Sequence, residues 1–143
     1  MKKILAMVFV LAAYVAQPAA AFTTATPLTI VGLNWSVTNV SNAALFSNCP
    51  QMTRIQVDLT GAYGSPTYTA SGILFCNSAQ GPVYLPAIGT VSGGSTGYGL
   101  ALYIQDVRLF CVLNSQSLSN SVCSIYSIAT GSVLSTLSLT YSP

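Results

Sequence analysis

Apolar and polar residues alternate with a period of two in several segments of this chain. The cleanest is Met52 to Thr60: Ile55, Val57 and Leu59 fall on one face, Arg54, Gln56 and Asp58 on the other. That is the pattern of a half-buried strand. Leu28 to Val37, Thr67 to Cys76, Val83 to Val91, Val122 to Ile128 and Ser132 to Tyr141 read the same way. Gly72 marks a bulge in the second of these, and Pro86, which removes a ladder donor, breaks the third and places it at a sheet edge. Tyr103 to Leu113 holds no Gly or Pro and predicts one uninterrupted strand. The polar tract Asn114–Ser121 then turns it into a hairpin with Val122–Ile128, around which the other strands pack. Thr38 to Gln51 reads mainly as loop, and Gly61–Pro66, Asn77–Pro82 and Ser92–Gly97 as turns. Seven or eight short strands with turns between them predict an all-β domain. An antiparallel β-sandwich is the first expectation and a small β-barrel the alternative.

The N-terminus breaks this pattern. Lys2 and Lys3 precede an apolar run from Ile4 to Ala16 and a small-residue stretch ending Ala19-Ala20-Ala21. This is the layout of a secretory signal peptide, and the run is too short to span a bilayer as a helix. The expected organisation is a signal peptide over 1–21 and one secreted domain over 22–143, extracellular or periplasmic and bacterial in style.

Charge narrows the partners. From Phe22 onward the charged side chains are Arg54, Asp58, Asp106 and Arg108, and the whole chain holds no His. Two arginines release too few counterions to bind nucleic acid. Near-zero net charge removes repulsion between copies and favours self-association. In an exported chain the four cysteines predict two disulfides. Cys49–Cys76 and Cys111–Cys123 are favoured, the second because it crosses the central hairpin. The repeated Leu-Phe-Cys tripeptides at 74–76 and 109–111 make Cys76–Cys111 the competing pair.

Catalysis finds few parts here. Without His, no Ser-His-Asp or Cys-His arrangement can be built. Asp58 and Asp106 each have an Arg nearby in sequence, which favours a solvated or salt-bridged strand face over a catalytic pair. Two carboxylates are too few for a calcium cage, and the cysteine spacings are not those of a zinc site. The Gly-rich Ser92–Gly99 lacks the Gly-Lys-Ser/Thr ending of a phosphate loop. No enzyme activity, metal or cofactor is expected. Trp35, Tyr63, Tyr68 and Tyr98 are candidates for stacking on a sugar, set against the plainer reading of Trp35 as core and the tyrosines as strand residues with wet hydroxyls.

The two ends of the domain suggest a function. Leu28, Ile30 and Gly32 form an alternating, uncharged N-terminal segment, and Leu137, Leu139 and Tyr141 an alternating C-terminal one. With the signal peptide and few charges, these ends resemble those of chaperone–usher pilins, although four cysteines and Pro143 beyond Tyr141 depart from that pattern. The resemblance implies an N-terminal strand that completes a neighbour's sheet. The competing reading makes it the first strand of its own sheet. The expected function is therefore a secreted structural or interaction protein, a self-associating fimbrial-like subunit at the cell surface, with protein as partner. A monomeric binding module for a glycan or partner protein comes second. A small outer-membrane or pore-forming β protein comes third, with membrane contact disfavoured because few segments have the length of barrel-wall strands.

Overall fold

The computed structural model describes residues 27–62, 64–94 and 97–143. The period-two segments become eight antiparallel strands: β1 (Pro27–Thr38), β2 (Gln51–Ala62), β3 (Thr67–Ser78), β4 (Gly81–Gly93), β5 (Gly97–Ile104), β6 (Val107–Asn114), β7 (Asn120–Ser127) and β8 (Val133–Tyr141). Each pairs with the next in sequence, and β1 pairs with β8, so the sheet closes into an up-and-down barrel. The expected sandwich is thereby corrected to its alternative. Either architecture buries one face of every strand; the ladder between Trp35–Thr38 and Ser138–Tyr141 makes this one a barrel.

Eight strands enclose an interior that side chains can fill. Ile55, Val57, Leu74, Leu85, Leu100, Leu102, Leu109, Ile125 and Leu139 fill it here, all buried. Outward positions carry many hydroxyls, among them the exposed cross-strand row Thr60, Thr69 and Thr90. Gly72 is not a bulge. It sits in regular register between Val57 and Ala87, and a Cβ there would strike the Gln56 carbonyl oxygen. Gly89 is in the same position against the Ala101 carbonyl. At Gly72 and Gly89 the neighbouring backbones approach closely, and small Ala70 and Ala87 beside them are buried.

Two further expectations change. The single strand over Tyr103–Leu113 is cut at Gln105–Asp106, where Gln105 takes a positive φ of 55° and the chain reverses from β5 into β6. Pro86 lies within a continuous β4, not at a break. Yet β5 pairs β4 only over Ile88–Gly93, so Pro86 occupies the overhanging half where no ladder donor is needed on that side.

Both favoured disulfides form. Cys49–Cys76 ties the β1–β2 loop to β3, and Cys111–Cys123 bridges β6 and β7 where their pairing ends at Phe110–Ser124. The competing pair would join β3 to β6, which are not neighbours. Loop 39–50 closes one end of the barrel. Ser41 exchanges hydrogen bonds with Thr136, its N–H donating to the carbonyl (2.9 Å) and its Oγ accepting from the Thr136 N–H (2.8 Å), while Phe46 is buried in the core. Among the described residues the other end stays open.

Candidate functional site at the barrel mouth

At the open end meet the β2–β3, β4–β5 and β6–β7 connections, the start of β1 and the C-terminal residues. Among the described residues a cavity of about 420 Å³ sits there. Leu59, Val91 and Leu113, buried at strand ends, belong to its lining, with Ile30 and Leu33 from β1 and Leu118 from the β6–β7 loop. Trp35, Tyr68 and Tyr98 supply the aromatic surface, and Ser65 a hydroxyl.

Each aromatic is held in its own way. Trp35 is 2% exposed; its Nε1–H donates to the Leu118 carbonyl at 2.7 Å, and its ring packs tilted against Tyr141 at 5.8 Å. The Tyr68 ring lies over Gly61, where a Cβ would crowd it. Tyr98 is 39% exposed and forms the accessible part of the rim. The loop that carries Leu118 is built by Asn114, whose Oδ1 accepts from the Gln116 and Ser117 N–H groups and whose carbonyl accepts from the Leu118 N–H. Leu118 itself takes a positive φ of 53°. Ser119 Oγ accepts from the Tyr141 N–H at 2.8 Å, which joins this loop to the last strand.

One part of the mouth is a half-covered edge. β8 pairs β1 only from Trp35 to Thr38, and the Ser142 N–H adds a bond to the Asn34 carbonyl. Before Asn34, β1 has β2 on one side and no described strand on the other. The register of β1 on β2 shifts between Ile30 and Leu33, at Gly32, whose φ of 73° suits a residue without a Cβ. The Gly32 N–H donates to Asp58 Oδ1 at 2.7 Å. Val31 beside it is 70% exposed, and Asn34 Oδ1 is buried with no hydrogen-bond partner among the described residues.

Three of the four stacking candidates, Trp35, Tyr68 and Tyr98, thus share one cavity with Ile30 of the contact-strand candidates. Gly32 is the bulge. The Leu28 backbone pairs with Gly61, while its side chain, like Tyr63 and the signal segment, lies outside the described residues. The charged residues separate instead of pairing along their strands. Asp58 holds Gly32, Arg54 lies 3.9 Å over the Phe75 ring, and Arg108 stands 5.4 Å from the Tyr126 ring. Reading by segment missed Leu59, Val91, Leu113 and Leu118 as site residues. Leu118 had a signal, as the lone apolar residue in a polar loop.

No protein-family model, curated protein or solved structure matches this chain.

Proposed function

We propose that this chain is an exported, non-catalytic β-barrel whose mouth binds a small, largely apolar molecule. The observation that carries the reading is the concave cavity lined by Trp35, Tyr68, Tyr98 and six aliphatic side chains. Its volume falls in the range of about 300–1,000 Å³ usual for small-molecule sites, which recur in barrel mouths. Aliphatic walls favour an apolar body over a polyhydroxylated sugar, whose hydroxyls would need partners at every face. The tyrosine hydroxyls can orient one polar end, and Ser65 Oγ, whose proton goes to the Thr67 carbonyl at 2.8 Å, can add an acceptor. The two disulfides fit an oxidising compartment, in line with the signal-like N-terminus. The interior is apolar and filled with side chains, unlike the polar lumen of an outer-membrane barrel, while the outer wall mixes hydroxyls with exposed Ile73, Tyr84, Ile88, Tyr103, Phe110 and Val112.

Trp35, the chain's single tryptophan, reports directly on this cavity. Titrating the mature protein with a medium-chain fatty alcohol should change Trp35 fluorescence saturably. Leu113→Trp would fill the cavity but add a second fluorophore, so Leu113→Phe is the cleaner blocking variant. The reading fails if no saturable change occurs, or if a folded Leu113→Phe variant binds as tightly as the native protein.

A second reading, a self-associating surface subunit, is favoured by the edge of β1 before Asn34, which no described strand covers. An added strand could pair there, and the Asn34 Oδ1 acceptor lies beside that edge. Val31→Lys places a gatekeeper charge on it. Sedimentation should show oligomers in the native protein and monomers in the variant, with cavity binding unchanged. A native protein that stays monomeric at all concentrations overturns this reading.

A further inference from the structure

A second concave surface lies toward the other end of the barrel, on its outer wall. Tyr103 of β5, Arg108 of β6 and Tyr126 of β7 are direct cross-strand neighbours and form one outward row. With Ser127, Ile128 and Gly131 they line a cleft of about 360 Å³. Arg108 is exposed, and its guanidinium contacts the protein through rings, at 5.4 Å from the Tyr126 centroid and 5.9 Å from that of Phe110. Asp106, two residues earlier in the β5–β6 turn, borders the cleft, its carbonyl accepting from the Ile128 N–H at 3.1 Å, though it does not line it, and Asp58 is engaged with Gly32.

We propose that this cleft binds a carboxylate carried on a saturated ring, the chemistry of an acidic sugar. A guanidinium orients a carboxylate through two parallel N–H···O bonds. Ring contacts on Arg108 hold its plane without consuming those donors. Tyr103 and Tyr126 offer aromatic surface on either side, against which the apolar face of a pyranose can pack. Ser127 Oγ accepts from the Thr130 N–H at 3.2 Å, so its own proton is left to donate to a ring hydroxyl. The cleft shares no residue with the mouth cavity, so the two sites stand or fall separately.

Nuclear magnetic resonance titration of the disulfide-intact mature protein with glucuronate, against glucose and sulfate, tests the assignment. Glucuronate should bind saturably, with a dissociation constant on the order of 1 mM for a ligand of that size, shifting the amides of 103, 108 and 126–128. Glucose should fail to saturate, and sulfate should bind more weakly than glucuronate. Arg108→Gln should weaken glucuronate about tenfold or more, and Arg108→Lys, which keeps the charge and loses the fork, several-fold. Tyr103→Ser should reduce the preference for glucuronate over sulfate. Equal binding of glucuronate and glucose, sulfate as tight as glucuronate, or an Arg108→Gln variant of native fold with native affinity would each overturn the proposal.

Discussion

Trp35 shows how much a single residue gives away in the sequence. The plain reading as core is right, since it is 2% exposed, and the residue also lines the mouth cavity. What could not be read was the bond from its Nε1 to Leu118, a contact across most of the chain. Asp58 is a similar case. Its place on a strand beside Arg54 suggested a salt-bridged face, whereas it stabilises a bulge in another strand. Gly89 gave no signal at all, because close backbone approach depends on how the sheet coils. Its consequence is testable: Gly89→Ala forces a methyl group against the Ala101 carbonyl and should destabilise the barrel by about 1–3 kcal/mol, read as a lower urea midpoint. An unchanged midpoint would show that the wall can relax there.

Strands were more legible than residues. Met52–Thr60 and Ser132–Tyr141 lie within one residue of β2 and β8 at most of their ends, because alternation survives wherever one face is buried. A two-residue turn offsets the alternation by only one position, and this is why Tyr103–Leu113 concealed one. Ile104 and Val107 are both buried, and the exposed Gln105-Asp106 pair between them lacks the Gly or Asn that usually marks a two-residue hairpin. The hairpin between β6 and β7 was expected, and its disulfide takes over where backbone pairing stops. Replacing Cys111 and Cys123 together by Ala should cost about 3 kcal/mol if loop-closure entropy dominates. Hydrogen exchange should then rise most in 112–122, next to the mouth. Uniform acceleration across all eight strands would mean that the bond supports the whole barrel and not this seam.

At the scale of the whole molecule, sandwich and barrel share the same strand pattern, so the choice between them was beyond the reach of local periodicity. The deciding pairing joins the first strand to the last. Charge content, by contrast, was fully legible and leads to a further expectation. With no histidine and no free thiol, the described barrel lacks the side chains that ordinarily change charge near neutrality. Its unfolding midpoint should stay flat between pH 6 and 8, and a slope there in a chemical-denaturation series would contradict this. The short ladder between β1 and β8 also sets an order of events. Seven hairpin pairings can form between neighbours in sequence, but Trp35 meets Tyr141 only when the final residues have been delivered. Loop closure of that span carries the largest entropic cost of any pairing in the fold. A chain threaded N-terminus first through an export channel would therefore remain an open ribbon until its last residues emerge. Trp35 fluorescence should mark the slowest step of refolding, after strand signals in the far ultraviolet have already risen.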